Sequence, residues 1–345
     1  MKKRFVLSGY FGFKNFGDEA ILSVLVNKLQ SLNHRVTVIS SNPEYTISKF
    51  KHTISKFKHV RSVYTFNLQS IFNAIRKSDF LISGGGSLLQ DTTSLKSLIY
   101  YLAIIFIALL LRKKVIIFAQ GIGPINNKFG IFLTKTLLKH CKYVSVRDSK
   151  SFELLKSWGI DSELLCDPIF STKIDKDTGK EDKVAIQLRD FKTMNDDFID
   201  RLAEKVAKEF ADKKIEIYSF QDSIDLEVCK RFEKSLRLLI PDSEITLYSN
   251  LTDDETIQKI SKAKYLIAMR FHAIIIGLLA EVKTLAINYD IKVEKIASEF
   301  NLPLINLQTE FKDEFTSLKS QDTTETQAIV SLKNFNWNNF EEAIK

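Results

Sequence analysis

"FLISGGGSLLQD", residues Phe80–Asp91, shows the unit from which this chain is built. An apolar run of strand length comes first, a glycine-rich turn follows it, and an apolar helix is predicted next, over Leu95–Leu111. "VIIFAQGIGPI", Val115–Ile125, has the same order of strand and glycine turn. Because strands and helices alternate in this way, the sequence predicts parallel sheets whose two faces are covered by helices.

The alternation continues along the whole chain. In the two stretches quoted above, the predicted strands are Phe80–Ser83 and Val115–Ala119. Further strands are predicted at Arg4–Gly9, Val36–Ser40, Tyr143–Val146, Ser162–Cys166, Val184–Leu188, Ile215–Phe220, Ile245–Tyr248, Tyr265–Ala268 and Thr284–Asn288. One polar, charged stretch without periodicity, "STKIDKDTGKEDK" at Ser171–Lys183, interrupts the pattern and is the predicted linker.

The predicted fold is therefore α/β, with two doubly wound Rossmann-like domains facing a cleft, an architecture called GT-B-like. The predicted domains are residues 1–172 and 183–310, and residues 311–345 are expected to form a helical tail that packs back. In sheets of this kind ligands bind beyond the carboxyl ends of the strands, so the loops that follow strands are expected to carry the site.

Composition favours a globular protein with anionic partners. The chain has 345 residues, 50 Lys and Arg against 42 Asp and Glu, and a net charge of +8. Its three cysteines have no metal-ligand spacing. The stretch Leu98–Leu111 is shorter than the roughly 20 residues that span a bilayer, so a buried helix is predicted, with membrane-surface contact as the second interpretation. A cytoplasmic location is expected, with the inner face of the membrane as the alternative.

Three glycine-rich loops follow predicted strands. They are "GYFGFKNFGDEAIL" at Gly9–Leu22, "SGGGSLLQD" at Ser83–Asp91 and "AQGIGPI" at Ala119–Ile125. Glycine lets backbone N–H groups approach an anion closely, but none of the loops has the P-loop or the dinucleotide-binding spacing. A Rossmann dehydrogenase is disfavoured, while an anion cradle and a tight turn without ligand both stay open.

Arginines follow three predicted strands: Arg147, Arg189 and Arg270. At the exit of a buried strand a guanidinium is placed to hold phosphate or carboxylate, although pairing with an acid such as Asp148 is the other interpretation. His272 lies two residues after Arg270, at the start of an apolar helix, which fits a proton donor beside an anion. No second histidine or acid stands at ligand spacing from it, so no metal is expected.

A tandem repeat lies in the first half of the chain. "TISKFKH" at Thr46–His52 is followed at once by the same seven residues at Thr53–His59. The copy indicates a duplication in a tolerant surface segment, and we expect it to be neutral for structure and function.

Six segments in order resemble the polysaccharide pyruvyl transferase family, in particular its bacterial CsaB-type branch. They are "SGYFGFKNFGDEAIL", "ISGGGSLLQDTTSLKSLIYYL", "AQGIGPI", "SVRDSKSFELLKSWGI", "CDPIF" and "AMRFHAIIIGLLAEVKTLAINYDIKVEKIASEF". The resemblance extends over Lys3–Phe300 and includes neither the tail after Leu302 nor the tandem repeat.

The resemblance implies a GT-B-like enzyme that uses phosphoenolpyruvate as donor and attaches pyruvate as a ketal to a sugar of a cell-surface polysaccharide precursor. Members often act on N-acetylmannosamine. The family's R-x-H element, associated with donor binding and catalysis, reads Arg270-Phe271-His272 here. The middle residue is commonly leucine in relatives. We expect the phenylalanine found here to affect the shape of the pocket, and thus the identity of the acceptor, more than the chemistry.

Site roles follow from the two anionic groups of the donor and from the need to protonate its methylene carbon. Arg270 and His272 are expected to hold the donor, with Arg147 or Arg189 as a second clamp, and His272 is the expected proton donor. Asp18 is the leading candidate for the carboxylate that meets sugar hydroxyls. The other acceptor-side or loop candidates are Asn15, Gly17, Glu19, Gly85, Gly86, Asp91, Gln120 and Asp290. No cofactor besides the co-substrate is expected, and the acceptor is a sugar or a lipid-linked saccharide.

Three other functions stay open at this stage. A nucleotide-sugar glycosyltransferase would share the fold, with Glu281 or Glu294 near the ribose. A nucleic-acid-binding protein would fit the charge, but the lysines form no basic stripe with interleaved aromatic residues. The third alternative is an inactive scaffold in polymer assembly.

Overall fold

The structure is a computed structural model that describes residues 2–51, 60–174, 179–192, 194–333 and 335–345. His52 and the second copy of the tandem repeat lie outside these residues. The chain forms two compact units: unit 1 is Met1–Ser171 with Phe335–Lys345, and unit 2 is Thr172–Asn334.

Unit 1 contains a parallel sheet with strand order β3-β2-β1-β4-β5-β6-β7 among the described residues. The strands are β1 (Arg4–Ser8), β2 (Arg35–Ser40), β3 (Val60–Tyr64), β4 (Phe80–Gly84), β5 (Lys114–Gln120), β6 (Tyr143–Val146) and β7 (Glu163–Leu164). The helices are α1 (Phe16–Ser31), α2 (Pro43–Lys51), α3 (Leu68–Lys77), α4 (Leu95–Leu110), α5 (Lys128–Leu138) and α6 (Ser149–Ser157), followed by a 3₁₀ turn at Pro168–Ser171.

Unit 2 repeats this plan with strand order β10-β9-β8-β11-β12-β13. Its strands are β8 (Glu181–Gln187), β9 (Lys214–Tyr218), β10 (Ile245–Tyr248), β11 (Ala263–Ala268), β12 (Lys283–Asn288) and β13 (Leu304–Asn306). Its helices are α7 (Asp196–Phe210), α8 (Asp222–Leu239), α9 (Asp253–Ser261), α10 (Phe271–Leu279), α11 (Ile291–Glu299), α12 (Glu314–Ser320) and α13 (Thr323–Leu332), while α14 (Asn338–Ile344) belongs to unit 1.

The expected two Rossmann-like domains are confirmed, because each unit is a parallel sheet of alternating strands and helices. The central strands are apolar runs buried on both faces, as Val115–Ala119 illustrates. In each unit the strand order reverses once, between β1 and β4 in unit 1 and between β8 and β11 in unit 2. These switch points are where ligands bind in open α/β sheets.

The end of the chain returns to unit 1. The rings of Phe335, Trp337 and Phe340 lie 5.5, 5.4 and 5.1 Å from the ring of Phe118, measured between centroids. Phe118 is a fully buried residue of β5, so this aromatic cluster fixes the final segment against the sheet.

Unit 2 contains a buried ionic network at the amino edge of its sheet. The Glu216 carboxylate lies 2.9 Å from the ammonium of Lys183 and accepts a hydrogen bond of 2.5 Å from the Tyr218 hydroxyl. Burial alone would raise the pKa of Glu216, but these two partners lower it below its ordinary value.

Candidate functional site

Glycines of unit 1 allow the loop after β1 to pack closely against the ends of its neighbours β4 and β2, at the switch point. A methyl group at Gly9 would lie 2.5 Å from the carbonyl oxygen of Gly84, and one at Gly12 would lie 2.1 Å from Ser40 Oγ. Gly12 also has a φ of +82°, which L side chains rarely adopt. These two glycines are therefore explained by close packing of chain segments.

Asp18 lies beside the second glycine loop. It is in the first turn of α1, is 8% exposed, and its Oδ1 is 2.6 Å from the position that a methyl group at Gly86 would take. Gly85 is adjacent, with the same oxygen at 3.8 Å from its methyl position. The structure thus brings three of the predicted residues together, and both glycines have positive φ, at +88° and +62°.

Other predicted residues of this loop hold it in place. Asn15 caps α1, and its Oδ1 accepts the N–H of Gly17 at 3.3 Å. Glu19 is 2% exposed; its Oε1 accepts the N–H of Gly12 at 2.7 Å, and its Oε2 lies 3.3 Å from the ammonium of buried Lys49. The acceptor role predicted for these residues stays a prediction, while their structural role is to fix the loop.

Asp91 ties together the loops after β4 and β5. Its Oδ2 accepts the backbone N–H groups of Asn126 and Asn127, each at 2.8 Å. The loops are further joined by the N–H of Gly121, which donates to the carbonyl of Gly86 at 3.1 Å. Asp91 therefore positions the neighbourhood of Gly86.

Gln120 ends β5 directly after a residue with an unusual backbone conformation. Pairing with β6 shifts register between Ile117 and Gln120, and the intervening Ala119 has a φ of +41°, a strained value for a residue with a Cβ. Such bulges redirect a side chain, and they are common next to active sites. The Gln120 side chain is fully buried, and neither its Oε1 nor its Nε2 has a hydrogen-bond partner among the described residues.

Ser83 shows the same property on the neighbouring strand. It is 1% exposed, it pairs in register with Ile117 of β5, and its Oγ has no partner within the described part of the chain. Buried polar atoms are nearly always hydrogen-bonded, so Ser83 and Gln120 mark a polar position at the carboxyl edge of unit 1.

Arg147 forms an internal ion pair. Its Nη1 contacts Oδ2 of Asp167, whose side chain is 2% exposed and whose Oδ1 accepts the N–H of Ile169 at 3.1 Å. Arg147 lies in unit 1, away from the arginines of unit 2 along the chain. The expectation of a donor clamp here is untested, and the observed partner is the acid of the "CDPIF" segment.

Arg270 is also paired internally. Its Nε and Nη2 donate to the two oxygens of Asp225, both at 2.7 Å, and its backbone N–H donates to Gln187 Oε1 at 2.7 Å. Burial raises the pKa of Asp225, and the hydrogen bonds from Arg270 oppose that rise. The sequence predicted a guanidinium placed for bidentate contact with an anion and left pairing with an acid as the other interpretation. In the structure Asp225 takes Nε and Nη2, and only Nη1 makes no hydrogen bond with a described residue.

Arg189 leaves β8, directly beside the exit of β11. Its backbone N–H lies 3.2 Å from Sδ of Met269, and its Nη1 donates to the Tyr289 hydroxyl at 3.2 Å. The guanidinium carbon is 5.3 Å from the centroid of the Tyr289 ring. Its Nε is buried and has no partner among the described residues, so the tyrosine orients a cation that retains a donor.

His272 and Asp290 lie at helix starts on the same edge. His272 is half-buried in the first turn of α10, with its ring 5.3 Å from that of Phe271 at 74°. Asp290 caps α11 through a 2.8 Å hydrogen bond from the N–H of Lys292. Because β8, β11 and β12 are neighbours, Arg189, Arg270, His272 and Asp290 share the carboxyl edge of this sheet.

Sequence reasoning missed the partners of the predicted residues. Asp225, Asp167 and Gln187 are not part of any glycine loop, and Asp225 is 45 residues from its arginine. Tyr289 stands next to Asp290 in the sequence and was the residue most accessible to prediction. Ser83 was quoted within a loop, but nothing local distinguishes it from a turn residue.

Unit 1 and unit 2, each doubly wound with polar groups at the switch point, place the chain in the GT-B-like class of α/β proteins. Solved structures of this class are similar along nearly the whole chain. UDP-GlcNAc 2-epimerase from Methanocaldococcus jannaschii has a TM-score of 0.64 at 13% identity, over 96% of this chain and 99% of that chain. A Rickettsia africae glycosyltransferase has a TM-score of 0.61 at 14% identity, over 100% and 99%.

A third similar structure is the Anabaena protein HepE in complex with UDP and glucose, with a TM-score of 0.61 at 11% identity, over 100% of this chain and 98% of that chain. At these identities the likeness shows the fold alone.

The sequence profile of the polysaccharide pyruvyl transferase family matches residues 15–291, which is most of the chain. The chain belongs to the polysaccharide pyruvyl transferase family, as its motifs predicted. A comparison with curated proteins found no match. Within the described ranges, no helix is both long and apolar enough to cross a membrane.

Proposed function

We propose that this chain transfers pyruvate from phosphoenolpyruvate to two hydroxyls of a sugar, forming a cyclic ketal and releasing phosphate. The observation that carries the proposal is the gathering of Arg189, Arg270 and His272 at the switch point of unit 2, at the start of α10. Phosphoenolpyruvate has a phosphate and a carboxylate, and both are anions that guanidinium groups and helix N-termini attract.

The arginines have separate tasks in this proposal. Arg189 keeps a buried Nε–H without a described partner while Tyr289 holds its Nη1, so it is oriented for one oxygen of the donor. Arg270 is fixed by Asp225 and offers Nη1. The backbone N–H groups in the first turn of α10 add further donors and the positive end of the helix dipole.

His272 supplies the proton in the proposed reaction. Its proton goes to the methylene carbon of the donor, which leaves an oxocarbenium-like centre at the carbon that carries the phosphate. One sugar hydroxyl attacks that carbon and loses its proton. The second hydroxyl then displaces phosphate and loses its proton as well, so that the ketal and inorganic phosphate are the products.

Polar groups at the carboxyl edge of unit 1 are candidates for binding a sugar. Asp18 can accept a hydroxyl proton, since a carboxylate is an acceptor with several lone pairs. Gln120 and Ser83 have buried hydrogen-bonding atoms without a partner in the described part of the chain. A sugar hydroxyl can both donate and accept, so it is a suitable partner for an amide and a hydroxyl.

Incubation with phosphoenolpyruvate and a nitrophenyl or lipid-linked N-acetylhexosamine tests the proposal. The expected result is phosphate release with a product heavier than the acceptor by one pyruvate less one water. Release of UDP from a UDP-sugar, with no consumption of phosphoenolpyruvate, would instead support the glycosyltransferase alternative.

Substitution of the proposed proton donor refines the test. His272→Gln should lower kcat about a hundredfold or more, because general acid catalysis commonly contributes that much. His140→Gln is the matched control, since His140 is an exposed histidine of unit 1 outside the site. Equal activity of both variants would remove His272 from the mechanism.

A further inference from the structure

Helix α4 presents apolar side chains to solvent. No charged residue occurs from Leu98 to Leu111, and the outward stripe near its end contains Ala103, Phe106 and Leu110. Phe106 is 53% exposed and Leu110 is 67% exposed. A helix with apolar side chains on both its inner and its outer face typically contacts another apolar surface or medium on the outer side.

A basic groove begins where α4 ends. It has a volume of about 710 Å³ and follows the amino edge of β1, β2, β4 and β5. Seven of its residues are Lys or Arg and one is acidic, Asp79, which is already bound to Arg4 at 3.4 Å. Arg35, Arg112, Lys113 and Lys114 form no salt bridge with a described carboxylate, although the Asp79 carboxylate attracts Lys113 electrostatically. The groove therefore carries an excess of positive charge.

We propose that this corner of unit 1 docks on an anionic lipid bilayer. The amino-edge patch consists of Phe106, Leu110, Arg35, Arg112, Lys113 and Lys114. Charge complementarity selects the occupant: the cations meet lipid phosphates, while the two large apolar side chains enter the boundary between headgroups and acyl chains. Nucleic acid would use the cations and leave Phe106 and Leu110 in water, which makes it the less suitable partner.

Vesicle binding tests the charged part of the patch. The full chain should sediment with vesicles of phosphatidylcholine containing a third of phosphatidylglycerol, and weakly with phosphatidylcholine alone. Each cation near an anionic surface contributes about a fivefold factor in affinity, so Arg112→Gln/Lys113→Gln should weaken binding roughly twenty-five-fold. Lys230→Gln/Lys234→Gln removes the same charge from exposed positions of unit 2 and should leave binding nearly unchanged.

Substitution of the apolar residues tests the choice of partner. Phe106→Ser/Leu110→Ser should weaken vesicle binding at least tenfold, while Leu238→Ser/Leu332→Ser, which changes residues that are 77% and 82% exposed, should not. Far-UV circular dichroism checks that each variant is folded. Equal loss in patch and control variants overturns the proposal. So does binding of single-stranded RNA that depends on Arg112 and Lys113 but not on Phe106 and Leu110. The assay contains neither donor nor sugar, so its outcome is independent of the proposed reaction.

Discussion

Replacement of Gln120 by methionine should make unit 1 more stable and the enzyme less active. The fold buries the Gln120 amide completely and gives neither of its polar atoms a partner among the described residues. Methionine has a similar length and no polar amide to desolvate. The substitution therefore removes the free-energy cost of burying an amide that has no hydrogen-bond partner among the described residues.

The size of the effect follows from the two atoms involved. A buried polar group without a partner costs about 1–3 kcal/mol, and the strained backbone at Ala119 is unchanged by the substitution. We expect Gln120→Met to raise the free energy of unfolding of unit 1 by about 1–3 kcal/mol. For a unit of this size, that corresponds to a rise in Tm of roughly 2–12 °C.

Tryptophan fluorescence during thermal unfolding is the suitable assay, because Trp158 and Trp337 both belong to unit 1. Gln69→Met makes the same chemical change at an exposed position of that unit and should shift Tm by little. Turnover of phosphoenolpyruvate should fall in the Gln120 variant alone. A lower Tm for Gln120→Met, with an unchanged Gln69→Met control, would refute the reasoning, since it would mean that the fold uses the amide.

Two further predictions concern buried charges of unit 2. Asp225→Ala should lower the free energy of unfolding by about 3–5 kcal/mol, because it leaves the buried Arg270 guanidinium without its carboxylate. Glu227→Ala, at an exposed position of the same helix, is the control and should have little effect. Urea unfolding followed by circular dichroism measures both variants. Burial raises the pKa of Glu216, but hydrogen bonds from Tyr218 and Lys183 bring that pKa below its ordinary value of 4.5. The ionised Glu216 therefore contributes its full stabilisation above pH 4.5, and this stabilisation is lost as the pH falls through the folded-state pKa. Tm of the native chain should therefore fall more steeply below pH 4.5 than Tm of Glu216→Gln, and parallel curves would contradict the assignment.

The central strands could be predicted because their signal is local. Phe80–Ser83 was predicted and β4 is Phe80–Gly84; Val115–Ala119 was predicted and β5 is Lys114–Gln120. Each is an apolar run that is followed within two residues by glycine, and burial on both faces makes such runs continuous. The predicted strand Ser162–Cys166 was too long, since β7 contains only Glu163–Leu164.

The edge strands were harder to predict. Strand β3, Val60–Tyr64, was not predicted, and only Val60 among its residues is buried. Strand β13, Leu304–Asn306, has three residues and was also missed. Both depend on pairing with a neighbouring strand, and pairing of this kind leaves a weak local pattern. The predicted linker, Ser171–Lys183, ends too late as well, because β8 begins at Glu181.

The glycine loops show a limit of a different kind. Sequence alone left an anion cradle and a tight turn open for each loop, and the structure explains Gly9 and Gly12 by close contacts with Gly84 and Ser40. Gly86 differs, because the group that its missing side chain admits is the Asp18 carboxylate. The same residue type thus serves packing at two positions and a candidate site at a third.

The charged residues of the family motifs divide by what folding does with them. Arg147 is bound to Asp167 and most of Arg270 is bound to Asp225, each pair within its own unit. Because a buried charge is costly without a partner, a fold that places an arginine at the end of a strand tends to supply a carboxylate as well. A sequence motif contains the arginine but not the distant acid that pairs with it. A prediction from motifs alone therefore overestimates how many charged groups are available to a ligand. The neutral Gln120 has no such partner within the ranges that the structure describes, and it is consequently as informative about the site as the arginines that first drew attention to it.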